Sequence, residues 1–166
     1  MEKNLYEVFD EVEAAPTTAQ KVELLRKYKT PTLLNFLRGI YDPTVHFDVP
    51  RIPTYKPAED IKGMGWSNMN VEFKRVYLFQ KNHPKRPREL SDARQEQLLI
   101  QVLESLEPRE AKLFANMLMK KLEVSGMSRL LVETAFPGHL PSPPISVAVS
   151  EGYAMTNQNQ QRTLID

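Results

Sequence analysis

Residues Pro108–Leu140, PREAKLFANMLMKKLEVSGMSRLLVETAFPGHL, read as two helices joined by a short, sterically open loop. Ala111, Phe114, Ala115, Leu118 and Leu122 recur at the spacing of one buried helical face. Pro108 suits the first helical position, where its missing N–H costs nothing, and Glu110 complements the positive end of the helix dipole. The spacing puts Lys120 and Lys121 in the last turn, where positive charge is favoured. Gly126 offers a left-handed cap or loop residue, and Ser128 can open a second, shorter helix carrying Leu130, Leu131, Ala135 and Phe136. Pro137-Gly138 stops that helix. A glycine without a Cβ, beside two lysines, lets the loop approach another backbone closely with charge suited to phosphate. The bland alternative is a helical hairpin whose lysines cap a helix and keep its surface wet.

Upstream, Ser91–Leu106 places Leu98, Val102 and Leu106 on one line with Leu99 and Leu103 beside it. The link to Pro108 is so short that the two helices should pack antiparallel. Before them lies the strongest basic cluster, KNHPKRPRE at 81–89. Lys81, Lys85, Arg86 and Arg88 carry four positive charges with no acid between them. Pro84 and Pro87 keep this run out of a helix, so it should be an exposed loop. It is either a solvated connection or a phosphate-contacting loop whose proline stiffening reduces the entropy lost on binding.

Val71, Phe73, Val76, Tyr77 and Phe79 predict a further helix with aromatics on more than one face, and Trp66 is expected to cover the core edge after the Gly63 and Gly65 turn. Glycines at 63 and 65 do not make a phosphate loop, since no Lys-Ser/Thr pair or preceding strand accompanies them. From Asp42 to Pro57 four prolines exclude helix, and Val45, Phe47, Val49 and Ile52 suggest an extended strap across the helices. His46, within it, lacks partners at metal-ligand spacing. Three short helices begin the chain. Leu5, Val8, Phe9 and Val12 trace the first. Thr17 and Gln20 form a capping-box pattern ahead of the second, and Thr30-Pro31 opens the third.

The last helix pair carries a resemblance. LMKKLEVSG followed by a short helix and FPGHLP resembles the end of the N-terminal DNA-binding domain of ATP-dependent DNA ligases of the phage T4 type. In that family an Arg-Asp-Leu-x-x-Gly segment ends a helix, its loop lies along the minor groove of nicked duplex, and an aromatic-Pro-Gly run follows. Lys120 stands at the family's Arg, Leu122 at its Leu, and Phe136-Pro137-Gly138 at the aromatic-Pro-Gly. Lys121 replaces the Asp, and the glycine is displaced by one residue. LRKYKTPTLLNFLRGIYDP, residues 25–43, is similar to the early helices of the same domain in order and spacing. The resemblance implies a stand-alone accessory protein of T4-like tailed phages. It also implies duplex DNA as partner, contacted by Lys120, Lys121, Ser125, Gly126, Ser128 and Arg129. The charge pattern, not the resemblance, adds Lys81, Lys85, Arg86 and Arg88 on phosphates.

Composition bounds the remaining readings. With 166 residues, 41% hydrophobic and 26% charged, the chain suits one domain with a real core. We expect an all-α helical domain of six to seven helices over residues 1–140, with the Pro-rich strap, and an extended polar tail over 141–166. The absence of cysteine excludes disulfides, thiolate metal sites and cysteine nucleophiles. No apolar run reaches membrane-spanning length and the acidic start is unlike a signal peptide, so a cytoplasmic protein is expected, in the host cytoplasm if phage-encoded. The formal charge is only +1, which counts against avid non-specific nucleic-acid binding. Its placement is uneven, however. Residues 1–23 hold six acids and two bases, whereas 62–88 hold seven bases and one acid.

The chemistry of a ligase is missing. No Lys-x-Asp-Gly occurs to take AMP, nor a Walker loop, Gly-x-Ser-x-Gly or His-Glu-x-x-His. The expectation is therefore a non-enzymatic protein with no cofactor, no metal and no small-molecule substrate, binding duplex DNA largely without sequence specificity. The alternative is an adaptor that has lost DNA binding and engages a host or phage protein. The strap and the tail would then hold that partner, with Ile145, Val147 and Val149 of the tail adding to its sheet edge.

Overall fold

Each helix starts where a side chain can hold its first free N–H groups. In the computed structural model, which describes residues 3–59 and 66–141, α1 spans Leu5–Ala14, α2 Thr18–Lys27 and α3 Pro31–Tyr41. Thr17 Oγ1 accepts from the Gln20 N–H at 3.2 Å, and Gln20 Oε1 accepts from the Thr17 N–H at 3.2 Å, the reciprocal box the spacing predicts. Thr30 Oγ1 accepts from the Leu33 N–H at 3.1 Å, with Pro31 in the first turn. Asn68, Ser91, Glu107 and Ser128 do the same for α4 (Met69–Glu72), α5 (Asp92–Ser105), α6 (Pro108–Leu118) and α7 (Arg129–Ala135). Each such cap contributes about 1 kcal/mol. Among the described residues the only β features are two isolated bridges, so the fold is all-α with seven α-helices.

The core gathers the apolar faces of these helices. Val8, Phe9, Val12, Leu25, Leu33, Phe36 and Leu37 meet Leu99, Val102, Leu103 and Phe114, all buried. α5 and α6 pack on each other across the Leu106–Glu107 link, α2 packs on α7, and α6 also contacts α1 and α3. Gly39 permits the α3–α6 approach, because a Cβ there would lie 2.6 Å from Met117 Sδ. Glu110 does more than complement a dipole. Its buried carboxylate accepts from the Leu5 N–H at 3.1 Å and the Tyr6 N–H at 2.9 Å, joining α6 to the start of α1.

The strap is ordered, as expected. Phe47, Val49, Ile52 and Tyr55 are half-buried against the core. Phe47 and Gln80 form an antiparallel bridge, flanked by Asp48 N–H to Phe79 O and Lys81 N–H to His46 O, both at 2.8 Å. Gln95 Nε2 donates to Asp48 O and Leu78 O, each at 3.2 Å, and so pins both segments to α5.

Several expectations need correction. The helix predicted over 71–79 is one α-turn, α4, running into a 3-10 segment at Phe73–Phe79. Phe73, Val76 and Phe79 fall three apart, which suits the three-residue repeat of a 3-10 helix. Two of them reach Phe114, with ring centroids 6.0 and 6.2 Å away. Trp66 does not close the core edge, for it is 40% exposed. α6 ends at Leu118, so Lys120 and Lys121 lie beyond its last turn, and Leu122 is half-buried in the bend rather than on the helix. The tail, with Ile145, Val147 and Val149, and the Gly63–Gly65 turn lie outside the described residues. Among the described residues, no helix is long and apolar enough to cross a membrane.

Candidate functional site

The bend from Met119 to Ser128 closes α6 with a glycine-type cap built on a lysine. Lys120 has φ +59°, its N–H donates to Met117 O at 2.9 Å, and the Lys121 N–H donates to Asn116 O at 2.8 Å. This paired arrangement is the one glycine usually makes at a helix C-terminus. The conformation turns the Lys120 side chain inward. Its ammonium donates to Asp42 O at 2.8 Å and lies 5.7 Å over the Phe47 ring. Burial lowers its pKa, partly opposed by the Asp42 carboxylate. Asp42 is itself buried, which works against its charge. Hydrogen bonds from the Thr44 hydroxyl and N–H, with Arg38 and Lys120 nearby, outweigh burial and hold its pKa low.

The rest of the bend is also engaged. Arg129 donates to Tyr41 O at 2.8 Å, to Pro141 O, and to Glu133 at 3.0 Å. Ser128 Oγ caps α7, accepting from the Leu131 N–H at 3.1 Å. The Ser125 N–H donates to Glu13 Oε2 at 2.8 Å. Gly126, with φ +87°, makes room for Lys21, whose ammonium caps α1 at Val12 O, 2.7 Å away. The close approach that glycine allows is therefore to this chain's own Lys21. Of the proposed cations in the bend, only Lys121 is exposed.

The Lys81–Arg88 loop behaves differently. Asn82, with φ +62°, turns the chain, and the His83 ring packs against Tyr77 with centroids 5.6 Å apart. His83 Nδ1 accepts from the Lys85 N–H at 3.1 Å. Arg86 is a brace, donating to Asp48 Oδ2 at 3.2 Å and approaching Gln80 O at 3.5 Å. Lys81, Lys85 and Arg88 are exposed, and Lys81 and Arg88 line a concavity of about 620 Å³. One cation is thus spent holding the loop while three are displayed.

A second hollow adjoins this loop. It lies between α3 and the 3-10 segment, encloses about 250 Å³, and has Val45, Phe47, Phe73 and Val76 on its floor. Asn35, Arg38 and Gln80 form its rim. The Phe47–Gln80 bridge divides the two hollows, since Asp48 and Lys81, the next residues, line the basic one. Sequence reasoning missed this groove. Its signal was faint: Asn35 and Arg38 sit three apart on the polar side of an otherwise apolar helix.

A family model matches residues 8–124, seven-tenths of the sequence. The chain belongs to DUF6433, a family of unknown function. No curated protein matches it. The DUF6433 span takes in the strap, both hollows and the whole Lys81–Arg88 loop, and stops before Ser125 and α7. Among the described residues of this DUF6433 chain, no group of three His, Asp or Glu side chains is placed to hold a metal.

Proposed function

We propose that this protein is a non-catalytic accessory protein that binds nucleic acid through backbone phosphates, without reading sequence. The supporting observation is the division of labour in the Lys81–Arg88 loop. Arg86 holds the loop to Asp48, while Lys81, Lys85 and Arg88 stay exposed on a proline-stiffened frame. Such pre-organisation reduces the entropy lost when phosphates bind. The minor-groove contact implied by the ligase resemblance has less support, because Lys120 and Arg129 already donate to main-chain carbonyls. Three exposed cations give a log–log salt slope of about −3 on duplex. Fluorescence anisotropy with labelled oligonucleotides over a salt series tests this. The triple variant Lys81→Glu, Lys85→Glu, Arg88→Glu should abolish binding without lowering the melting temperature. An absence of salt-dependent binding to any nucleic acid would overturn the proposal.

A second reading is an adaptor for a host or phage protein. It draws on Leu130, which is 71% exposed on α7, and on the near-neutral total charge. Capture of a partner by the triple variant in the presence of nuclease would favour it.

A further inference from the structure

We infer that the groove between α3 and the 3-10 segment accepts a nucleobase, so that the preferred ligand is single-stranded nucleic acid. This rests on the phosphate-binding reading above and names the form of the ligand. The groove floor is apolar and partly aromatic, with Phe47 and Phe73 half-buried in it. Its rim carries Arg38, whose side chain is 47% exposed, and the basic loop begins one residue beyond Gln80. A strand lying across Gln80 would therefore meet an apolar hollow on one side and the basic hollow, lined by Lys81 and Arg88, on the other.

Two physical arguments select a single strand. Base faces are stacked out of reach in a duplex, so a duplex gains little from an apolar floor, whereas an unpaired base can leave its stack and use it. The few free cations also give a weak Coulombic attraction, and contact between base and aromatic ring supplies about 1–3 kcal/mol per base. Charge complementarity favours a polyanion over an apolar protein helix. The nearby acids Asp42, Asp48 and Glu72 are each neutralised by an arginine, namely Arg38, Arg86 and Arg75.

The experiment compares three probes of equal length on the intact protein: oligothymidylate, the same strand made abasic, and a duplex. Oligothymidylate should bind about tenfold more tightly than either alternative, an advantage set by one well-placed base. Asn35→Glu puts an acid on the exposed rim and should erase that advantage, while the residual salt-dependent binding remains. Unchanged melting temperature confirms that this variant is folded. Equal binding of the abasic and thymidylate strands, or a preference for duplex, would overturn the inference and leave the phosphate-binding reading standing. No binding of any probe would overturn both.

Discussion

The Lys120 ammonium donates to the main-chain carbonyl of Asp42 at 2.8 Å, across 78 residues of sequence. That bond ties the end of α6 to the end of α3 at the start of the strap. The left-handed conformation that aims the side chain there costs a residue with a Cβ about 1 kcal/mol or more. The lysine is therefore a structural tether.

This tether predicts an inverted order for two truncations. Lys120→Ala loses the charge-assisted bond and keeps the unfavourable backbone angle, so it should destabilise by about 2 kcal/mol. Lys120→Gly loses the same bond but relieves the backbone, and should be more stable than the alanine variant by about 1 kcal/mol. Urea midpoints with an unchanged slope would measure the difference. A glycine variant weaker than the alanine one would refute the assignment.

Glu110 predicts a pH dependence. Burial pushes its pKa up from 4.5 to about 7, against the two N–H groups of Leu5 and Tyr6 that favour its charge, and Glu107 and Glu7 add repulsion. Between these values the folded protein holds a proton that the unfolded chain releases. Stability should then be greatest at or below pH 4.5 and fall as pH rises through 7, by about 3 kcal/mol at about 1.4 kcal/mol per decade. Glu110→Gln cannot ionise, and its denaturation midpoint should be flat over this window apart from other groups. A wild-type profile that rises between pH 5 and 7, with no change in Glu110→Gln, would sink this account.

Within the basic loop, stability and binding should separate by residue. Arg86→Ala removes a 15%-exposed side chain's bond to Asp48 and should lower stability by about 1–2 kcal/mol. Lys85→Ala and Arg88→Ala, both exposed, should stay within about 0.5 kcal/mol of wild type. Thermal melts of the three single variants are sufficient. Equal losses at all three would show that Arg86 is no brace.

Local signals carried most of the fold. Thr17 and Gln20, Thr30 and Pro31, Ser91 and Ser128 open helices at the positions where their spacing places them, because a cap acts within three residues. Phe73, Val76 and Phe79 do not reveal their 3-10 geometry in sequence, because an apolar row three apart fits an α-helix and a 3-10 helix alike. Lys120, Arg129 and Glu110 carried no local sign of their partners, and the groove beside Arg38 exists only once α3, the strap and the 3-10 segment are brought together.

The sequence by itself determined where helices begin, that no cysteine chemistry is available, and that positive charge concentrates near Lys81–Arg88. Tertiary structure alone decided which of the chain's positive charges remain available. A lysine or arginine side chain is long enough to serve either solvent or a distant carbonyl. The choice depends on whether an unpaired acceptor, such as Asp42 O or Tyr41 O, is packed within its reach.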